Sequence, residues 1–225
     1  MKTNLIIKYL VLLLSIMIGV SCQKGDNYFS NYSSESKVYD GTIYDYLKNQ
    51  KGTFDSLVLV LERLPDLRRK LQNGDSTLTL FAVNNRSFEL AIKSLNTTRA
   101  LTKKEPLFLE DVGLVDLDSF TNRYVLDQTY NTSDIAPFID GVTVVSTKNN
   151  YNMHIQYKVL NASGYYQGGE QQIIFSDTNR SIFQRYWQRI NTISVNIKTK
   201  NGVIHILSPG HDFGFGKFTS KYSTL

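Results

Sequence analysis

Residues 77–92 read TLTLFAVNNRSFELAI, and this stretch constrains the fold most because its hydrophobic period changes within a few residues. In residues 77–82, Thr and Phe alternate with Leu and Ala, which is the period of a β-strand. Asn84 or Asn85 can then cap a helix by accepting a hydrogen bond from its first turn, and we expect Asn85 to do so. The apolar face of that helix comprises Phe88, Ala91, Ile92 and Leu95. The junction therefore predicts a fold that combines helices with a sheet.

Helical patterns also precede this junction. Thr42 can start a short helix in GTIYDYLKNQKG, and Gly52 can end it. In the next segment, TFDSLVLVLERL, we expect Thr53 to be the N-cap, and Asp55 suits the positive end of the helix dipole. Pro65 suits the first turn of a third short helix. The apolar face of the second helix comprises Phe54, Leu57, Val58, Leu61 and Leu64.

The second half of the chain is dominated by strand patterns. The segments GVTVVSTKNN, YNMHIQYKVL, QQIIFSD, TISVNIKTK and GVIHIL are rich in β-branched and aromatic residues and are bounded by turn residues. Between them, SIFQRYWQRI is amphipathic, and we expect a helix or an irregular excursion that lies over the sheet. Its apolar side would be Ile182, Phe183, Tyr186, Trp187 and Ile190. The sequence shows no internal repeat, which predicts a single domain.

Two motifs in this framework resemble the signatures of the fasciclin domain. The first signature, Thr-x-Phe-Ala-Pro-Thr-Asn-x-Ala-Phe, also lies at a strand-to-helix junction. Here Val83, Asn84 and Ser87 replace its Pro, Thr and Ala, whereas Thr79, Phe81, Ala82, Asn85 and Phe88 match it. The second signature, Asn-Gly-Val-Ile-His, is complete as Asn201, Gly202, Val203, Ile204 and His205.

The two motifs occur in the family's order, and the resemblance covers roughly residues 40–209. It implies an α+β fold with a single fasciclin-like domain. In that domain a twisted β-sheet wedge or sandwich has several short α-helices packed around it.

One position bears on the family's known partners. Fasciclin domains often carry a Tyr-His pair between the signatures, and in animal members that pair is tied to integrin contact. This chain has Tyr124, which makes Tyr124 a candidate binding residue, but Val125 stands where the histidine would be. The resemblance therefore does not imply integrin binding for this chain.

The N-terminus has the pattern of an export signal. Lys2 and Lys8 precede and flank an apolar stretch from Tyr9 to Val20, and small residues lead to Cys22, the only cysteine. The end of this segment resembles the lipobox of bacterial (Bacteroidetes-like) lipoproteins, in which the cysteine is lipidated, although Gly19 stands where Leu is usual. A simple secretory signal and an uncleaved membrane anchor are the alternatives.

These features predict three regions: a lipoprotein signal peptide at 1–21, a flexible polar tether at 22–37, and the fasciclin-like domain at 38–225. Gln23 after the cysteine follows a pattern associated with transfer to the outer membrane, where the domain could face outward. Loss of the signal would lower the formal net charge from +5 to +3, since it removes Lys2 and Lys8. So mild and scattered a charge does not indicate nucleic-acid binding.

The sequence offers little catalytic or metal-binding chemistry. It has no Gly-x-Ser-x-Gly elbow, and Cys22 is assigned to the anchor, so we expect neither a nucleophile nor a cofactor. His154, His205 and His211 with Asp212 are only a weak metal pattern because they lack short fixed spacings. We interpret His205 as a hydrogen-bonded structural residue of its strand. The sequence therefore predicts no enzyme and no metal site.

Binding is the function that the sequence favours. Tyr165 and Tyr166 lie in the Gly-rich stretch ASGYYQGGEQQ, and paired aromatic rings in a turn can stack on a sugar or anchor a protein. The alternative is a hairpin with one Tyr inward and one outward. The functional hypothesis is an envelope-anchored, non-catalytic adhesion or binding lipoprotein that recognises a glycan, a matrix component or a protein. The alternative hypothesis is a structural accessory subunit of an outer-membrane nutrient-uptake assembly.

The anchor assignment predicts the behaviour of Cys22→Ser. Because Cys22 is the only thiol available for lipidation, the variant should be released from membranes or should keep its signal uncleaved. Fractionation of cells with immunoblotting measures both outcomes. A variant that is processed and remains with the membranes as the wild type does would exclude the lipoprotein assignment.

Overall fold

The structure, a computed structural model, describes residues 37–162 and 168–224. The signal peptide, Cys22, the tether before residue 37 and the pair Tyr165 and Tyr166 lie outside the described residues. No helix within 37–162 or 168–224 is long and apolar enough to cross a membrane.

Within the described residues, three α-helices precede the first strand in sequence and four follow it. They are α1 (Ile43–Asn49), α2 (Asp55–Arg63), α3 (Pro65–Gln72), α4 (Asn85–Leu101), α5 (Leu114–Thr121), α6 (Thr132–Ile135) and α7 (Lys217–Thr224). Short 3-10 helices span Leu109–Asp111, Asn122–Tyr124 and Gln184–Tyr186. Thr42 caps α1 through a capping box with Asp45, and Pro65 starts α3, as the sequence predicts.

Seven strands form one sheet: β1 (Leu78–Ala82), β2 (Val125–Leu126), β3 (Val142–Val145), β4 (Asn152–Val159), β5 (Gln171–Asp177), β6 (Gln188–Thr199) and β7 (Gly202–Leu207). Their order is β2-β1-β7-β6-β5-β4-β3. Only β1 and β7 run parallel among these neighbours, and the other pairs are antiparallel. An isolated bridge between Leu126 and Ser146 brings the two edges of the sheet together, so the sheet is nearly closed.

The two signatures lie side by side in this sheet. β1 pairs with β7 so that Phe81 is opposite His205 and Leu78 is opposite Gly202. At Gly202 the backbone φ is +148°, and a Cβ atom would come within 1.9 Å of the Leu78 carbonyl oxygen. Glycine is therefore required at this position, because any side chain would separate the two strands.

Asn201 links three elements next to that glycine. Its side-chain oxygen accepts a hydrogen bond from the Ile43 N–H at the start of α1, at 2.8 Å. Its side-chain NH₂ group donates to the carbonyls of Leu71 and Asn73 at the end of α3, at 2.9 and 3.1 Å. Asn201 is almost fully buried, and its bonds to Ile43 and Leu71 satisfy buried backbone groups.

The asparagine pair of the first signature has divided roles, and the expected cap at Asn85 is wrong. Asn84 is the N-cap of α4, and its side chain accepts a hydrogen bond from the Ser87 N–H. The Asn85 side chain instead accepts from the Ser56 N–H in the first turn of α2, at 2.8 Å. Thr53 makes no cap, since the N-cap position of α2 is Phe54, which has no side-chain cap. Asn85 takes over that role from a distant part of the chain.

The core is aromatic where the sheet meets the C-terminal segment. Phe81 of β1 stacks on Phe175 of β5 with 4.0 Å between ring centroids. Phe88 of α4 packs on Phe213 at 4.5 Å, and Phe218 of α7 lies in the same cluster. The glycine-and-aromatic tail after residue 209 is thus an integral part of the fold.

Residues 182–190 differ from their expected structure. They do not form a helix over the sheet: Gln184–Tyr186 is a 3-10 turn, and from Gln188 the chain already belongs to β6. Ile190 pairs with Phe175 in the sheet, which fixes the register of this segment. Ile182, Phe183 and Tyr186 consequently face solvent instead of packing on the sheet.

The asparagine contacts predict unequal losses of stability. Asn201→Ala removes the side-chain partner of the buried Ile43 N–H and Leu71 carbonyl and a further bond to the Asn73 carbonyl, which should lower the free energy of unfolding by roughly 2–5 kcal/mol. Asn85→Ala removes a more exposed cap and should cost about 1 kcal/mol. Urea denaturation of both variants measures the difference. Equal and small losses would show that Asn201 does not hold the helices to β7.

Candidate functional site

Tyr124 is inaccessible, and the hypothesis that it contacts a partner is therefore wrong for this structure. The residue is 1% exposed, and its ring stacks on Phe213 and Phe215. Its hydroxyl accepts a hydrogen bond from the Gly214 N–H at 2.8 Å and lies 2.6 Å from His211 Nε2. Burial raises the pKa of the phenol far above its ordinary value. Tyr124 thus holds the C-terminal segment against the core.

His205 is a structural residue of the second signature. The Asn196 N–H donates to its Nδ1, and its Nε2 lies 2.8 Å from the carbonyl of Tyr130. Because an amide N–H can only donate and a carbonyl can only accept, the proton of the neutral ring is on Nε2. Full burial lowers the pKa of His205 to about 4. This ring fixes the bulge of β6 at Asn196, where φ is +58°.

The other histidines are also engaged. His211 lies against Tyr124, and burial lowers its pKa to about 3. His154 packs on Trp187 with 4.7 Å between ring centroids, and burial lowers its pKa as well. The three imidazoles therefore lie in separate contacts. Within residues 37–162 and 168–224, no group of three or more His, Cys, Asp or Glu side chains could hold a metal ion.

A groove of about 440 Å³ lies between the α2–α3 corner, α5 and the turn before β4. Its rim includes the exposed apolar residues Leu114 and Val115. Its carboxylates are already paired, since Asp116 accepts hydrogen bonds from Lys221 and Tyr222, and Asp118 pairs with Lys148. The hydrogen bond from Lys221 keeps the pKa of Asp116 below its ordinary value. The groove is a candidate contact surface, and its carboxylates are placed as ion-pair partners.

The connection from β5 to β6, residues 178–187, is the other candidate surface, and we name it the β5–β6 loop. Ile182 is 86% exposed, Phe183 56% and Tyr186 52%. The Arg185 guanidinium lies 4.8 Å from the centroid of the Tyr186 ring and 5.4 Å from that of Phe183. Exposed aromatic and arginine side chains are the types that contribute most to binding interfaces.

Fixed contacts at the base of the β5–β6 loop determine its shape. Asn179 and Arg180 both have positive φ, at +53° and +55°. The Asn179 N–H donates to the buried carboxylate of Asp177 at 2.7 Å, and the Asn179 side chain donates to the Tyr186 carbonyl. The Trp187 indole donates to the Ser181 carbonyl at 2.8 Å. The loop therefore presents its exposed side chains in a defined arrangement.

The predicted binding residues and the observed surface are different. Tyr165 and Tyr166 lie outside the described residues, so their role stays a prediction. The β5–β6 loop was expected to pack on the sheet because its apolar residues have helical spacing. Residues 178–190 contain three arginines, Arg180, Arg185 and Arg189, and no acidic residue. This concentration of positive charge among the aromatic residues is the signal that could have indicated an exposed surface.

Comparison with known proteins assigns the fold. The structure is similar to a solved FAS1 domain pair from the insect cell adhesion molecule fasciclin I, with a TM-score of 0.55 and 14% sequence identity. The similarity covers 80% of this chain and 52% of the solved chain, so this chain spans about half the length of that protein. No protein-family model matches the sequence, and no curated protein is similar to it. The described residues thus have a fasciclin-like α+β fold.

The buried histidines predict an unusual titration. His205 and His211 have folded-state pKa values of about 4 and about 3, below the ordinary value near 6.5, so the folded protein favours their neutral form. The stability that depends on neutral imidazole is complete above the unfolded-state pKa and is lost as pH falls from about 6.5 towards the folded-state values. In NMR spectra, the ring resonances of both residues should not titrate between pH 7.5 and 5.5. A midpoint near pH 6.5 for either one would contradict its burial.

Proposed function

We propose that this protein is an envelope-anchored lipoprotein that binds an extracellular or envelope partner in an adhesion role, with the β5–β6 loop as the contact surface. The observation that carries the proposal is the exposure of Ile182, Phe183 and Tyr186 on a loop whose base is fixed. The lipid on Cys22 would hold the protein at the membrane, and the outer membrane with the domain facing outward is the proposed location. Protease treatment of intact cells tests that orientation.

The physical argument concerns the cost of exposing apolar surface. Large apolar side chains gain free energy when they leave water, and a loop with no packing role has no reason to concentrate them. The β5–β6 loop is fixed in advance by the Asn179 and Trp187 hydrogen bonds, so binding would order few further groups. Guanidinium groups beside the rings add donors for acidic or carbonyl groups of a partner.

The structural neighbour supports a binding role by analogy. The FAS1 domain pair comes from a protein described as a cell adhesion molecule. One fold can carry many functions, so the analogy supports adhesion as a class and leaves the partner open. A glycan, a matrix component and an envelope protein are the ligand classes that follow from the sequence. Contact through a Tyr-His pair is disfavoured, because Tyr124 is buried.

The test is a pair of matched double variants. Ile182→Ser/Phe183→Ser removes the apolar tip of the β5–β6 loop, and Leu59→Ser/Leu101→Ser removes two exposed apolar side chains that lie outside both candidate surfaces. Binding to a glycan array and to envelope extract should fall about tenfold or more in the loop variant, whereas the control should bind as the wild type does. The melting temperatures of both should stay near that of the wild type.

The result can also reject the loop. If the loop variant binds as well as the wild type, the contact surface is elsewhere, and Tyr165→Ala/Tyr166→Ala is the next variant to measure. A loss of binding in Leu114→Ser/Val115→Ser would instead indicate the groove near α5, since both residues line it.

The groove is the observation that favours the second candidate function, an accessory subunit of an outer-membrane nutrient-uptake assembly. Its apolar rim at Leu114 and Val115 would suit a constant protein partner. Such a subunit should co-purify with an integral membrane complex after mild detergent extraction, and Val115→Asp should release it. An adhesin should be recovered without a stoichiometric membrane partner.

A further inference from the structure

Three cationic side chains surround the ring of Tyr151, at the start of β4. The Arg123 guanidinium lies 4.4 Å from the ring centroid, that of Arg180 5.5 Å and the Lys217 ammonium 5.8 Å. The three come from the 3-10 helix before β2, from the β5–β6 loop and from the first residue of α7. The fold therefore brings three positive charges together from distant parts of the sequence.

A single carboxylate, that of Asp177, contacts this cluster, and it is already fully engaged. Asp177 is buried and forms an ion pair with Arg123 at 3.0 Å. It also accepts hydrogen bonds from the Tyr151 hydroxyl at 2.6 Å and from the Asn179 N–H at 2.7 Å. Across the described residues, neither Arg180 nor Lys217 has a carboxylate within 4.0 Å. The cluster thus carries three positive charges against one negative charge.

Lys217 occupies a position that is electrostatically unfavourable without an anion. It is the first residue of α7, where the helix dipole is positive and favours acidic side chains. Partial burial lowers the pKa of Lys217, and the charges of Arg123 and Arg180 lower it further, against the opposing effect of Asp177. Arg123 is more than nine-tenths buried, and its Nε has no hydrogen-bond partner among the described residues. A bound anion would relieve the repulsion between Lys217 and the two guanidinium groups.

We propose that Arg180 and Lys217, with Arg123 behind them, form a binding site for an oxyanion. The chemistry suits a carboxylate, a sulfate or a phosphate group, because guanidinium donors match paired oxygens and the ammonium adds a point charge. The site is separate from the apolar tip of the β5–β6 loop. It does not depend on the partner that this tip contacts, so either proposal can fail alone.

The first measurement uses the full-length chain purified in detergent, titrated with sodium sulfate or with sodium chloride at equal ionic strength. Sulfate should raise the melting temperature and should saturate, whereas chloride should not. In Lys217→Gln and in Arg180→Gln, the apparent affinity for sulfate should fall about tenfold or more, because each loses a charge-assisted contact. Arg69→Gln is the matched control, since Arg69 is an exposed guanidinium on α3 and belongs neither to the cluster at Tyr151 nor to the β5–β6 loop.

Each outcome decides the proposal. Equal responses to sulfate and chloride, or an unchanged sulfate response in both cluster variants, would overturn it. Lys217→Gln provides a second readout that needs no ligand. Because this variant removes like-charge repulsion, its melting temperature without sulfate should equal or exceed that of the wild type. A large decrease would show that Lys217 is a stabilising residue of the fold and would also overturn the site.

Three further probes distinguish the source of the anion: inorganic phosphate, dextran sulfate against neutral dextran, and vesicles of phosphatidylglycerol in phosphatidylcholine. Binding of phosphate alone would indicate a small free anion, binding of dextran sulfate an acidic polysaccharide, and binding of the vesicles a lipid headgroup. Any of the three supports the oxyanion site if Lys217→Gln weakens it and Arg69→Gln does not. Binding that all variants share would belong to another surface and would count against it.

Discussion

The parallel pairing of β1 with β7 is the constraint on which the rest of the fold depends. It places the two signature motifs next to each other, with Phe81 opposite His205, although about 120 residues separate them in sequence. Pairing two strands this far apart in sequence costs loop-closure entropy. Residues at the pairing itself therefore have to determine its register. Gly202 permits the close approach, and Asn201 joins the start of β7 to two helices. The signatures thus specify a contact within the fold.

Buried polar groups then position the elements around that pair. Thr79 accepts a hydrogen bond from the Tyr130 N–H and donates to the Gln128 carbonyl, which fixes the segment after β2. His205 on β7 donates from Nε2 to the Tyr130 carbonyl, and its Nδ1 accepts from the Asn196 N–H at the bulge of β6. Tyr124 in turn fixes the C-terminal segment through Gly214. Each of these groups is costly to bury without a partner, and the hydrogen bonds that satisfy them therefore favour one arrangement.

The sequence predicts the local parts of this architecture well. The strand at 78–82, the helix after it and the short helix after Thr42 follow from periodicity and from residue types within a few positions. The partner of Asn85 could not be predicted, because the N–H that it reaches belongs to α2 and only tertiary packing brings Ser56 there. The fasciclin-like fold could be predicted because the residues that form its long-range contacts also form two short sequence motifs.

The candidate site was less predictable for a related reason. Helical spacing in residues 182–190 gave a plausible packing face, but β6 begins at Gln188 and takes Ile190 into the sheet opposite Phe175. The residues before Gln188 form a loop with a 3-10 turn, and Ile182 and Phe183 are exposed. The cluster around Tyr151 combines residues from three distant segments, so no local pattern marks it.

Side chains with hydrogen-bond partners and side chains that lack a neutralising or apolar partner lie in different parts of this molecule. Asn84, Asn201, His205 and Tyr124 have their hydrogen-bonding groups directed at backbone or side-chain partners, and their conformations serve the fold. Arg180 and Lys217 lack a neutralising carboxylate within ion-pair distance in the described structure, and the β5–β6 loop exposes apolar rings. A bound partner would reduce the cost of such unpaired charges and exposed rings, which is the physical argument for the proposed binding surfaces. The end of the sheet where β5 passes to β6 is therefore where we propose that this domain binds.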